Sequence, residues 1–246
     1  MAYSAQVPRA DPSRFAAGGY PLPGGAELMA EVPASRVPPA TWDLATSRDY
    51  LKGEVVYSGG EASEFAFVIE AGLVALTLAA HPERERVVAL AGPGDIIGEL
   101  TPGTQRYLET ATALSAGTRC RLLARAAHAD TSGPGGVELQ SALALAAGRQ
   151  LARLTDAMAD TEVAVPARIA RTLVRLGERF GHRGEDGLTR ITLPITHDTL
   201  AAMVGAARET TTSVVQALRD DGLLNGTRGH YLFEPEKLSA FAARAL

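Results

Sequence analysis

The sequence predicts an α+β fold, and three observations carry that reading. Short apolar runs alternate with glycine-marked turns between Tyr50 and Arg125; residues 137–162 are almost free of helix breakers; and residues 195–224 place two short amphipathic helices around Gly205 and lead into a hairpin pattern. Strands, long helix and helical block follow one another rather than alternating, which segregates the β layer from the helices.

Residues 1–40 hold seven of the 14 prolines, with Gly18-Gly19 and Gly24-Gly25 among them. Such a stretch supports neither a long helix nor a central strand, and an irregular arm is expected. The strand candidates are 54–57, 65–69, 73–78, 86–91, 96–97, 110–114 and 119–124. Their roughly ten-residue spacing points to a sandwich or barrel, so 41–136 is read as one β domain. In the helix at 137–162, Leu143, Ala147, Leu151, Leu154 and Met158 fall on one seam. At about 1.5 Å per residue the helix runs to about 37 Å, long for a small barrel to cover. The seam therefore reads as a dimer contact, with packing on the chain's own β domain as the alternative.

Residues 163–246 form the last unit. Pro166 opens a helix with Ile169, Leu173, Leu176 and Phe180 on its apolar face. Arg168, Arg171 and Arg175 lie on another side, either as a solvated stripe or as a phosphate rail, and 181–187 is read as a polar turn. Thr196 caps a helix carrying Leu200, Met203 and Val204; Gly205 permits a tight turn; Val214, Val215 and Leu218 face inward on the next helix. Asn225-Gly226 ahead of Tyr231-Leu232-Phe233 predicts a hairpin turning at Asn-Gly.

Composition sets outer limits. Apolar residues make up 46% and charged residues 21%, so a core can form. One cysteine, Cys120, excludes an internal disulfide framework, fits a reducing cytoplasm and reads as a small buried strand residue. The longest uncharged apolar stretches reach about half of what a bilayer needs, and no basic-then-apolar leader opens the chain, so no membrane is expected as a partner. Net charge is −4, split as 11 Lys and Arg against 9 Asp and Glu from Val163 onward, and 13 against 19 before it. That asymmetry is compatible with a nucleic-acid-binding C-terminal part without requiring one.

The second helix after Gly205 has the chemistry of a major-groove reader. Arg208 can give guanine O6 and N7 two hydrogen bonds, and Glu209 can accept from cytosine N4. Thr212 and Ser213 add short donors on the same edge, and hydroxyls with first-turn N–H groups can hold phosphates. Arg-Glu followed by three threonines is a poor choice for a helix that is merely solvated, because threonine lowers helix propensity.

The run Val204-Gly205-Ala206-Ala207-Arg208-Glu209-Thr210 closely resembles the helix-turn-helix of the bacterial cyclic-AMP receptor and fumarate–nitrate regulator (Crp-Fnr) superfamily. Gly60-Glu61, Gly72, Pro93-Gly94-Asp95 and Gly98-Glu99-Leu100 resemble the landmarks of its sensor domain, so the likeness spans about Tyr50 to the C-terminus. The resemblance implies an N-terminal β-roll (a cyclic-nucleotide-binding-like jelly roll), a long dimerisation helix and a C-terminal winged helix-turn-helix. It implies a homodimer whose recognition helices enter double-stranded DNA about 34 Å apart on a palindromic operator. By the resemblance Arg208 and Glu209 read bases and Thr210 touches a phosphate, with Thr196 and His197 adding phosphate contacts at the preceding helix; Thr212 and Ser213, from their place on the outward edge, are further candidates for base contact. RNA polymerase is a candidate partner at the loop 181–189, through Glu185 and Asp186. Ala207 departs from the family's capping Ser or Thr, at a cost of roughly 1 kcal/mol, and Ser213 stands where cyclic-AMP receptors have a second base-reading arginine.

Cyclic-nucleotide binders of the family hold the phosphate with Arg, then Ser or Thr, then Ala; here the gap-free match is Glu109-Thr110-Ala111. A carboxylate repels the phosphate and lacks the guanidinium fork. Arg153-Leu154 falls where the adenine-binding hydroxyl pair sits, and Arg106 is the one cation that could restore the lost charge in a rebuilt loop. The sensor-pocket candidates are therefore Glu99, Arg106, Thr110 and Arg153, and Glu99 is expected to make a structural hydrogen bond. Four cysteines for an iron–sulfur cluster are missing, and His81 and His128, the axial candidates for haem, read as loop residues. No cofactor and no metal is expected. The expected function is a DNA-binding transcription regulator that does not use cyclic AMP in the usual way; the alternative is a cyclic-nucleotide-responsive regulator with a rebuilt phosphate site. An enzyme on a cupin-like barrel is disfavoured because the five histidines are scattered and neither a dinucleotide fingerprint nor a nucleophile elbow occurs. A regulatory subunit acting on a protein partner is disfavoured by the character of Arg208–Ser213.

Overall fold

The computed structural model describes residues 46–81, 84–99, 105–125 and 136–244. The arm at 1–40, the loop before the long helix and His128 lie outside the described residues.

Eight strands build the first unit: β1 (Thr46–Tyr50), β2 (Val55–Tyr57), β3 (Phe65–Ala71), β4 (Val74–His81), β5 (Arg84–Ala91), β6 (Ile96–Gly98), β7 (Thr110–Ala113) and β8 (Thr118–Ala124). They form two antiparallel four-stranded sheets, in the orders β1-β8-β3-β6 and β2-β7-β4-β5. The two sheets close as a roll over a shared core that includes Tyr57, Phe67, Ile69, Val74, Leu76 and Cys120. Each apolar run is nearly continuous because both of its faces are covered. In β3, Phe67 and Ile69 point into the roll, whereas Ala66 and Val68 point out, as a period of two requires. β1 is not among the expected strands; four of its five residues are exposed, so no alternation marks it.

The first helix, α1 (Gly136–Ala159), ends in a short 3-10 turn, Asp160–Glu162. Its N-terminal half lies on the roll: Leu139, Leu143 and Ala146 pack against Ala66, Val68, Ile96 and Leu123. Leu143 therefore belongs to the chain's own core and not to a free seam.

The last unit contains α2 (Val165–Phe180), β9 (His182–Arg183), β10 (Thr189–Thr192), α3 (His197–Val204), α4 (Arg208–Asp220), β11 (Asn225–Thr227), β12 (His230–Phe233) and α5 (Pro235–Arg244). Residues 181–187 are not a simple turn. They begin a hairpin, and β9 and β10 extend the wing into a sheet of order β11-β12-β10-β9. The wing turns at Arg228-Gly229, with Thr227 opposite His230, rather than at Asn225-Gly226, which lies inside β11. Both glycines have positive φ, 92° at Gly226 and 77° at Gly229, so either could have made the turn. The register is set by Tyr231 and Phe233, which must face the core.

That core is continuous with the roll. Leu73, Ala75 and Leu90, on the outer face of the second sheet, join Ile169, Leu173, Val204, Val215 and Leu218 in one cluster. Arg179 pairs with Asp95 across the same junction, and the Phe180 ring lies against Gly92. Arg171 and Arg175 are neither a solvated stripe nor a phosphate rail. Both grip Asp160, whose side chain is 8% exposed, and so fix the angle between α1 and α2.

Candidate nucleic-acid interface and sensor pocket

The helix-turn-helix is built by local rules. Thr196 Oγ1 accepts the Thr199 N–H at 3.1 Å and Thr199 Oγ1 accepts the Thr196 N–H at 3.3 Å, a capping box that starts α3. Gly205, at φ 63°, takes the left-handed conformation that turns the chain into α4. Ala207 stands at the N-cap of α4 without a side-chain bond, as expected. Thr211, Val215 and Leu218 are buried beneath α4, leaving Arg208, Glu209, Thr210, Thr212 and Ser213 exposed on one edge. Arg208 Nε lies 3.4 Å from Asp198, an exposed pair of the kind that contributes little to stability. Thr212 donates its hydroxyl proton to the Arg208 carbonyl at 2.9 Å and lies 3.1 Å from His197 Nδ1. The Thr196 hydroxyl is engaged in the cap.

In the roll, Glu109 is buried at the mouth between β7 and α1. Tyr57 donates to its Oε1 at 2.9 Å, and Gln150 on α1 donates to both oxygens at 3.1 and 3.2 Å. Burial pushes the Glu109 carboxyl up, and Glu99 adds to the rise, while the Tyr57 bond and Arg153 pull it down. Arg153 is itself lowered to about 10, chiefly by burial and then by Arg179. Glu99 and Arg153 thus share this cluster. Thr110 sits at its edge and accepts the Gly59 N–H at 2.9 Å. Arg106 does not join them: it is exposed and donates to the Gly60 carbonyl. Tyr57 and Gln150 were not among the sequence candidates. The signal that could have found them is the buried carboxylate itself, which needs donors. Cys120 is buried as expected, its thiol pushed up to about 12 by burial and then by Glu70.

A second face of α1 runs exposed along the whole helix. Leu151 and Met158 are 67% and 72% exposed, with Val137 at 70%. Val137, Ala144, Leu151 and Met158 recur every seven residues, and Ala147 and Leu154 flank them half-buried. Among the described residues no group of His, Cys, Asp and Glu is placed to hold a metal ion, and no helix is long and apolar enough to cross a membrane.

A roll of two sheets, a long helix and a winged helix-turn-helix together define a two-domain DNA-binding regulator. The comparisons agree on its family. Residues 47–129 match the family model of the cyclic nucleotide-binding domain, and residues 167–241 match that of the Crp-like helix-turn-helix domain. A CRP-like cAMP-activated global transcriptional regulator of Mycobacterium tuberculosis is 33% identical over 177 residues, covering 70% of this chain and 75% of that protein. A CRP/FNR-family transcriptional regulator from Thermus thermophilus superposes with a TM-score of 0.64 at 26% identity, over 82% of this chain and 100% of that one. FixK2 from Bradyrhizobium japonicum shares the fold, with a TM-score of 0.69 at 21% identity over 80% and 96% of the two chains. The chain belongs to the CRP-like family of transcriptional regulators, with a DNA-binding helix-turn-helix at α3 and α4.

Proposed function

We propose that the protein is a homodimeric, sequence-specific regulator that reaches its DNA-binding form without cyclic AMP bound in the usual way. The carrying observation is Glu109. It occupies the place of the phosphate-holding arginine, is buried, and already spends its oxygens on Tyr57 and Gln150. A cyclic phosphate entering there would meet a carboxylate in a site of low polarity, where like charges repel strongly. The bond from Gln150 also joins the roll to α1.

Dimer formation is supported by the exposed seven-residue stripe Val137, Ala144, Leu151 and Met158, which a second α1 covers by knobs-into-holes packing. Leu154 and Ala147 complete the seam. A two-fold axis along α1 places two α4 helices on successive major grooves, so the operator is a palindrome. Arg208 and Glu209 read bases, Thr212 and Ser213 support them, and Thr210 and His197 meet the backbone. The protein works in the cytoplasm on chromosomal DNA. Glu185, exposed in the β9–β10 turn, is the group offered to RNA polymerase, since Asp186 is engaged by Arg190.

The alternative, a cyclic-nucleotide regulator with a rebuilt phosphate site, draws support from the cAMP-activated relative. It requires Arg106 to leave Gly60 and replace Glu109 in the interior.

Selection of duplexes from a random pool by the purified protein, without any nucleotide, is expected to enrich a palindrome. Arg208→Ala should then weaken the winner by about 1–3 kcal/mol and relax preference at one base pair per half-site. Failure to enrich any sequence, with or without cyclic AMP, would count against the whole reading.

A further inference from the structure

We propose that His197, Arg219 and Arg228 form a seat for one backbone phosphate of the bound DNA, and that filling the seat brings a proton onto His197. The proposal rests on the DNA-binding reading above and adds Arg219, which no motif singles out, together with a proton linkage.

Three elements converge at this place. His197 is the first residue of α3, Arg219 lies in the last turn of α4, and Arg228 is exposed in the wing turn. Arg219, Arg228 and Arg208 all act on the His197 ring and, after burial, hold its pKa below the ordinary 6.5. Arg219 and Arg228 also act on the buried phenol of Tyr231. Among the described residues Asp198 is the carboxylate that acts on His197, and it is already paired with Arg208 at 3.4 Å. The site gathers three arginines around the ring, and Asp198, the carboxylate among the leading influences on His197, is engaged by Arg208.

Its nitrogens are also short of partners. His197 Nε2 and Arg219 Nε and Nη2 are shielded from solvent without a hydrogen bond among the described residues. A buried donor left without an acceptor is unfavourable, and a bound acceptor removes that cost. A phosphate offers several strong acceptors and suits the guanidinium fork. Rotamer changes of interface side chains are common when a protein meets its partner, and Arg219 and Arg228 are long side chains able to make them.

The proton follows from the Thr212 contact. With the Thr212 hydroxyl hydrogen on the Arg208 carbonyl at 2.9 Å, His197 Nδ1 is the donor across the 3.1 Å contact. The neutral ring therefore presents a bare lone pair at Nε2, which cannot bond to a phosphate oxygen. Protonation turns Nε2 into a donor, and the phosphate charge offsets the three arginines that disfavour the imidazolium. The imidazole pKa is higher in the complex than in the free protein. Affinity for DNA rises as pH falls through the bound-state value, and it levels off below the free-state value.

The test titrates the full chain with the selected duplex and with an unselected duplex of equal length, from about pH 8 to about pH 5.5 and at several salt concentrations. Wild type should bind both duplexes roughly tenfold more tightly at the acid end, which corresponds to a pKa raised by about one unit. His197→Gln should flatten that profile, whereas His230→Gln, altering the other histidine near the wing, should leave it in place. Arg219→Gln should weaken both duplexes alike and reduce the salt slope by about one, with sequence preference unchanged. A pH profile that survives His197→Gln, or a salt slope indifferent to Arg219→Gln, would overturn the seat while DNA binding stands. Absence of binding to either duplex by the wild type would instead overturn the DNA reading, and the seat with it.

Discussion

Glu109 concentrates the chemistry of the sensor in one side chain. Its folded-state pKa is raised, so the folded protein holds this proton more tightly than the unfolded chain. The stability it contributes is complete below the ordinary carboxyl value of 4.5 and is lost as pH rises through the folded value. Glu109→Gln removes the titration while its carbonyl still accepts from Tyr57 and Gln150. Thermal melts should find the variant close to wild type at about pH 4 and more stable by pH 7; a difference that stays constant across that range would show that the fold does not raise the Glu109 carboxyl. The sequence already marked Glu109 as the misfit in the phosphate cassette. It did not reveal Tyr57 and Gln150, which lie 52 and 41 residues away and meet it only through the fold. The exposed edge Arg208, Glu209, Thr210, Thr212 and Ser213 was legible because helix period alone sets which side chains share a face. Thr211 shows the limit, since three adjacent threonines look alike until the inward face is fixed.

Among the elements, α1 separates what spacing can and cannot decide. Leu143, Leu151 and Met158 fit one apolar seam in the sequence, yet Leu143 is 3% exposed beneath the roll and Met158 is 72% exposed. A helix more than twenty residues long can turn one stripe toward its own domain and an adjacent stripe toward a partner, and the residue types are the same in both. The two halves should respond differently. Leu151→Lys is expected to convert the dimer to monomer in sedimentation velocity with little loss of monomer stability. Leu143→Ala should cost about 2–5 kcal/mol of stability and leave association intact. Dimers that persist in Leu151→Lys would move the interface elsewhere. β1 escaped notice for a related reason: as a mostly exposed edge strand it carries no apolar pattern. The wing turn was misplaced because Gly226 and Gly229 both suit a turn, and only the burial of Tyr231 and Phe233 chooses between them.

The whole molecule is held together by two junctions on opposite faces of the roll. Ala66, Val68, Ile96 and Leu123 receive α1 on one sheet; Leu73, Ala75 and Leu90 receive the winged unit on the other. Runs such as Phe65–Ile69 carried this information as apolar residues at both parities, which signals a strand covered twice, although the covering elements could not be named. Asp160 with Arg171 and Arg175 sets the bend between α1 and α2, and Glu109 with Gln150 ties the roll to α1. With both links made by the chain itself, under the proposed function the DNA-binding unit is positioned without a nucleotide. The central claim is tested most directly by titrating the selected duplex with the wild-type protein, at fixed salt and pH, with and without saturating cyclic AMP. Equal affinities in the two titrations are the predicted result. Tightening by cyclic AMP of tenfold or more, about 1.4 kcal/mol of coupling, would contradict it.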